Sequence, residues 1–415
     1  MVSFLLIIIA VYSAAKAREQ FFVSRGTDFW LFFLILVCPF ISELIVQVGR
    51  LVVYGQPIVV SSLDGPARFL LGAVVFVFLS QSQHKENMCK ALSLGCLVGL
   101  LITFISVFFW REHYHPVGND VYRAATYIVD PITLAAYSVG LFSLSWMTIE
   151  NIEKLWIKLL VFSASFGSLV FILFESLARS AWLAFIGLFI LWVCRWLSGK
   201  KYRLLVAICF LALCVIIFLW EYYLQVIFDR AYLLWIEAKS FMSGDYKDTS
   251  TGLRLSLLQI DWVLFKNNLI FGAQDGVLPS YESLLIDIPD LTRKAYDQKL
   301  LTGSHFEIAG QISRKGIFGV LTSLCLFIFP LYLFRSRRNH LTRNKLFRFE
   351  LGFDFVFVMF LAGIGIQIFN LKMTSTFYAL VLAVLFASRL ENVVRANIDH
   401  RKNDRVVVSV EKKSL

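Results

Sequence analysis

Residues 316–334 read GIFGVLTSLCLFIFPLYLF, a stretch without one charged side chain. About 20 apolar residues carry an α-helix across the hydrocarbon of a bilayer, so this stretch predicts a membrane span. Its two flanks differ. Arg335, Arg337, Arg338, Arg343, Lys345 and Arg348 follow it, and a long polar stretch, residues 224–315, precedes it. Working outward, comparable apolar runs occupy 1–15, 28–48, 66–81, 91–110, 131–149, 155–174, 180–197, 204–223, 351–370 and 373–388. Unpaired backbone groups are too costly in lipid for irregular spans. The expected fold is therefore all-α: a polytopic integral membrane protein of about 11–12 transmembrane helices. It divides into an N-terminal bundle (1–223), one large loop of amphipathic helices (224–315), C-terminal transmembrane helices (316–390) and a polar tail (391–415).

Composition agrees. The chain is 58% hydrophobic and only 17% charged, with a mean hydropathy of +0.70, whereas soluble domains run about 45–50% apolar and about 25% charged. The formal charge of +11 would suggest nucleic acid in a soluble chain. Here basic cytoplasmic loops explain it, and no nucleic-acid partner is expected. Six of the seven cysteines lie in apolar runs and the long loop has none, so neither a disulfide framework nor a CxxC metal pattern is present. The run 1–15 has no basic start and leads into Lys16 and Arg18, which reads as a span, not a cleavable leader.

Basic residues set the orientation. Segments 16–27, 82–90, 150–158, 195–203, 335–348 and 389–415 hold 24 Lys and Arg, against 6 in the short loops of the other side. The richer set is expected to be cytoplasmic. The long loop then faces outward, with Arg68, Arg123 and Arg179 on the same side.

Three residues on that side suit an anionic, lipid-linked substrate. Arg179 sits at a short turn between two spans, where it is equally an interfacial arginine snorkelling to head groups. Arg254 opens an amphipathic stretch, 253–267, whose Leu253, Leu257, Ile260 and Leu264 recur at helical spacing and suit a membrane surface. Thr251 or Ser250 is the expected cap, which puts Arg254 in the first turn, beside a helix N-terminus that also attracts anions. His305 begins a second amphipathic stretch and titrates near neutral pH; alone, it is as readily structural. His113 and His115 have no carboxylate-rich partner stretch, and no D-x-D run is present. A diphosphate's charge would therefore fall to arginine, whose forked donors match phosphate oxygens.

These residues carry a resemblance. Gly65-Pro66-Ala67-Arg68, Tyr122-Arg123, Ala135-Ala136-Tyr137, Ala178-Arg179-Ser180-Ala181, Gly252-Leu253-Arg254 with Phe265-Lys266-Asn267, and His305 with Lys315-Gly316-Ile317-Phe318-Gly319 occur in order. Together they resemble the O-antigen ligase family, within the wider ligase and polymerase superfamily. Phe306 stands where the family often has Asn, Leu269 replaces a usual Pro, and eleven spans are read where the family has twelve. The resemblance implies a GT-C-like membrane fold and transfer of a polysaccharide from undecaprenyl diphosphate to a lipid A–core sugar. It places that reaction at the periplasmic face of the bacterial inner membrane, with membrane lipids around it and neither metal nor cofactor. By position, Arg179 and Arg254 would hold the diphosphate, helped by Arg68 and Arg123. His305 would activate the acceptor hydroxyl or bind phosphate. An O-antigen polymerase is the rival within the class. A lipid-glycan transporter is the rival outside it, although no repeats or midplane helix breaks of the transporter kind are visible.

Overall fold

The computed structural model describes residues 27–390, apart from 83, 110–114, 117–121, 124–129, 199–231, 234, 245–247, 275–277 and 336–342. The expected spans 1–15 and 204–223, the tail 391–415 and His113 lie outside the described residues. The chain is a polytopic all-α membrane protein. Six helices are long and apolar enough to cross a membrane. They are α1 (Thr27–Tyr54), α2 (Asp64–Ser80, with the turn from Val60), α3 (Lys85–Phe109, from Asn87), α4 (Pro131–Glu150), α5 (Leu155–Ser176) and α11 (Ile317–Arg335). Further helices are α6 (Arg179–Ser198), α7 (Ser250–Asn267), α8 (Tyr281–Asp287), α9 (Arg293–Thr302), α10 (Glu307–Lys315), α12 (Arg343–Ala362) and α13 (Lys372–Arg389). The one strand pair among the described residues joins His115–Pro116 to Tyr122–Arg123, antiparallel.

Helix α4 is the centre of the bundle: 83% of its span is buried, against 22% for the span ending at Ser80. Its start is fixed locally. Asp130 caps it by accepting from Ile132 N and Thr133 N, each at 3.0 Å, with Pro131 in the first turn. Ser138, Ser143 and Ser145 turn their hydroxyls back onto Leu134, Gly140 and Phe142 carbonyls at 2.8 Å, so hydroxyls enter the core satisfied. Helices α3, α5, α6 and α12 pack around α4, and α13 lies along α2.

Buried charges are matched. Arg195 of α6 bonds both oxygens of Asp354 of α12, at 2.8 and 2.5 Å, and Trp192 Nε1 donates to the same carboxylate at 3.1 Å. Ion pairing of this kind is what allows charge inside a membrane bundle.

Arg50, at the end of α1, is only 3% exposed. It donates to the carbonyls of Phe271 (2.8 Å), Ala273 (2.9 Å) and Arg314. One guanidinium thus clamps the segment after α7 and the end of α10 to the first described helix. The same segment pairs with the chain at Ala273 N to Ser313 O (2.8 Å) and Ile317 N to Leu269 O (2.9 Å). Gly316, between α10 and α11, has φ +58°, and a Cβ there would meet the Leu269 and Ile270 carbonyl oxygens. Positive φ and close backbone approach both call for glycine.

Two expectations are corrected. Span 351–370 does not run through as helix: α12 ends at Ala362 and turns follow to 371. Glu307 explains this, because Phe369 N donates to its carboxylate at 3.0 Å and Glu307 N donates to Gly363 O at 2.8 Å. The turn's backbone groups are satisfied by α10 instead of by a continuing helix. Second, Leu253, Leu257, Ile260 and Leu264 do not rest on a membrane surface. They form a satellite core with Leu284, Ile288, Leu291 and Ala295 from α8, α9 and the link between them. The loop is long enough to bury its own amphipathic face.

Candidate functional site

Arg179 is the first residue of α6, just after Leu177, which caps α5 in the left-handed region at φ 51°. That conformation is uncommon for a branched side chain and makes the turn between the two spans tight. Arg179 Nη1 donates to Thr251 Oγ1 at 3.0 Å and pairs with Glu237 at 3.4 Å. Glu237, in the helical residues 235–243, also accepts from Thr251 N at 3.1 Å and from the Thr251 hydroxyl. So Arg179 docks on the N-terminus of α7, and any anion that approaches it must share or displace the Glu237 carboxylate.

The cap of α7 is Thr249, whose hydroxyl accepts from Gly252 N at 3.1 Å. Four cap-capable residues in a row, Asp248 to Thr251, hid that register in the sequence. Arg254 therefore lies in the second turn, not the first. It is half-buried, and burial, then the like charge of Arg179, push its pKa below the ordinary arginine value, with Glu237 opposing. The two guanidiniums share one carboxylate, Glu237, which pairs with Arg179 and offsets part of the repulsion on Arg254.

His305 lies two residues before α10, half-buried, with Gln298 Nε2 2.9 Å from its Nε2. With the amide nitrogen as donor, the ring proton sits on Nδ1. Burial first, then Arg254 and Lys299, depress the His305 pKa, so the ring is neutral at pH 7. Arg179, Arg254 and His305 thus share one electrostatic neighbourhood. Arg68 stands apart: it bonds Asp64 (3.0 and 3.1 Å), Lys372 O (3.1 Å) and Thr376 Oγ1 (2.9 Å), stapling α2 to α13. The side chain of Arg123 lies outside the described residues.

Sequence reasoning missed the support of this site. Lys299 Nζ and Ser304 Oγ both reach Asp261 Oδ1, at 2.5 and 2.6 Å, in a fully buried triad directly before His305. Glu307 is buried completely; burial raises its pKa, and its bonds to Phe369 N and Gln311 make it a brace for the His305 segment. No spacing signal marks these residues, because their partners lie on separate helices.

An apolar groove of about 540 Å³ begins at this cluster. Leu258, Trp262 and Phe265 continue the Arg254 face of α7, and Phe306, Ile308 and Ile312 form the wall from α10. Among the described residues no cluster of three His, Cys, Asp or Glu side chains is gathered for a metal.

Residues 164–322, from within α5 to within α11, match the family model described as O-antigen ligase. The match covers less than half of the chain and supports an O-antigen ligase family assignment. Its matched span contains Arg179, Arg254 and His305, and takes in the long loop with its satellite core. No curated protein matches the chain. Within the matched span, the cations and the imidazole come from three stretches of sequence: the α5–α6 turn, the second turn of α7 and the lead into α10.

Proposed function

We propose that the chain is a metal-independent, inverting glycosyltransferase that moves O-antigen polysaccharide from undecaprenyl diphosphate to a lipid A–core sugar. It acts at the periplasmic face of the inner membrane. The observation that carries this reading is the shared electrostatic neighbourhood of Arg179, Arg254 and His305, with an apolar groove along α7 that starts at Leu258, one helical turn after Arg254. A diphosphate on an isoprenoid tail has that same polarity: two phosphates for Arg179 and Arg254, and a hydrocarbon chain for the groove along α7 and α10. The family match supports ligase or polymerase chemistry, and the choice of a lipid A–core acceptor is part of the proposal.

The acceptor hydroxyl attacks the anomeric carbon opposite the diphosphate. The new C–O bond forms as the bond to the leaving oxygen breaks, the hydroxyl proton passes to His305 Nε2 with the acceptor hydroxyl taking the place of the Gln298 amide there, and Arg179 and Arg254 take up charge growing on the leaving phosphate. Stabilising that charge is where electrostatic help counts most. Positioned proton acceptance contributes about 10²–10⁴-fold.

Cells lacking the protein should accumulate lipid-linked glycan and make only bare core lipopolysaccharide. A single repeat unit left attached to core would assign polymerase activity instead. Purified enzyme should keep full transfer activity in EDTA; loss restored by Mg²⁺ would overturn leaving-group stabilisation by arginine.

The depressed His305 pKa fixes a pH profile. Neutral imidazole is the active base, and it persists to lower pH when the pKa is lowered. Single-turnover transfer should be flat through neutrality and fall only below the ordinary value of about 6.5. His305→Gln should lose that acid limb together with most of the rate. Wild-type activity that rises toward acid would make His305 a phosphate-binding imidazolium.

A further inference from the structure

Helix α10 separates the groove from a second cavity. Glu307 lines the groove, and Gln311, one turn on, lines a polar cavity of about 270 Å³ between α1, α2, α10 and the start of α13. That volume lies near the lower end of ligand sites, about 300–1,000 Å³. Its lining carries Arg50, Arg314, Lys315 and Lys372 against Glu43 and Asp64, a net charge of +2. Lys315 is neutralised by Glu43 at 3.1 Å, while Lys372, near Asp64 at 3.7 Å, is 81% exposed at the rim.

Gln311 is 4% exposed. Its Nε2 donates to Glu307 at 2.7 Å, and its buried Oε1 has no hydrogen-bond partner among the described residues. A buried acceptor left unmade is costly, and a ligand hydroxyl would satisfy it. The other polar walls are already bonded: Gln47 to Glu43, Ser62 and Val59 N, and Asn370 to Arg314 and Gln367. A net positive charge and one open amide oxygen suit a hydroxylated ligand that bears an anionic group, such as an acidic saccharide.

We propose that this cavity is a second saccharide site, which takes the phosphorylated or otherwise acidic head group of the acceptor. The proposal rests on the transferase reading above. Helix α10 has nine residues, so a ligand at Gln311 is within about 14 Å of His305, a span that an oligosaccharide acceptor covers. Donor and acceptor would then occupy opposite sides of one short helix.

The test uses full-length protein in phosphatidylcholine nanodiscs, with binding read by saturation-transfer NMR and calorimetry. The probes are glucose 6-phosphate, glucose, inorganic phosphate and farnesyl diphosphate. Gln311→Leu and Lys372→Glu should each weaken glucose 6-phosphate at least fivefold and leave farnesyl diphosphate unchanged. Arg254→Gln should do the reverse. Should Gln311→Leu fail to fold, the rim variant Lys372→Glu carries the test. Four results overturn the proposal: no glucose 6-phosphate binding, binding lost through Arg254→Gln alone, equal binding of inorganic phosphate, or displacement by phosphatidylglycerol added to the disc. If farnesyl diphosphate ignores Arg254→Gln, the donor site is wrong and the cavity result stands by itself.

Discussion

Alanine at Arg254 should slow glycan transfer by about 10²–10³-fold, the usual cost of removing one donor that stabilises transition-state charge. The membrane-inserted protein should persist, because the Arg254 side chain is half-buried and braces no helix contact described above. Arg179→Ala should cost as much in rate. It should also loosen the start of α7, since Arg179 holds Thr251 at 3.0 Å and pairs with Glu237. Lysine at either place should recover only part of the rate, because an ammonium is a point charge without the planar fork. The double variant should lose less than the product of the two single losses, as groups acting on one leaving phosphate are not additive. Quantified transfer in membranes, with protein level read by immunoblot, checks all five variants. Full activity in either lysine variant would reduce that arginine to a plain charge.

Lys299→Met should be the most destabilising single change near the site. It strands the Asp261 carboxylate, itself 2% exposed, with only Ser304 left as partner. Breaking a buried pair by removing one partner costs about 3–5 kcal/mol, which should show as a clear drop in thermal unfolding temperature in detergent. Asp261→Leu combined with Lys299→Met should regain much of the loss, because apolar replacement of the whole pair is often neutral. The same variant tests the electrostatics of the site. Lys299 is one of the cations that depress the His305 pKa, so the acid limb of the transfer profile should move up toward the ordinary histidine value. An unfolding temperature that does not change would mean that the triad is not buried as described.

Six of the expected spans were legible because lipid allows only helices there, and apolar length is a direct signal. Where span 351–370 broke, the cause lay far away in sequence: Glu307 accepts from Phe369 N across 62 residues. The amphipathic pattern of α7 was read correctly as a face but assigned to the wrong partner, since periodicity shows that a face is buried and not what buries it. The candidate site was legible in part. Arg179, Arg254 and His305 stand in short recognisable motifs, and the structure brings them together. Glu237, Asp261, Lys299 and Gln311 were not seen, because a side chain that works through a partner on another helix leaves no local mark. Arg50 was counted only as a loop charge, yet it is a buried clamp.

That clamp has a consequence in time. The carbonyls Arg50 binds lie 221 to 264 positions later in the chain. At a synthesis rate of about 5–20 residues per second, α1 is made tens of seconds before its partners exist. During that interval its guanidinium has only water, head groups or the insertion machinery for company. The clamp on the first described helix thus closes only after α10 has been made. Chains stalled before residue 271 should be cut by protease near Arg50, and chains stalled beyond the end of α11 should resist; equal cleavage would show that α1 is seated without the clamp.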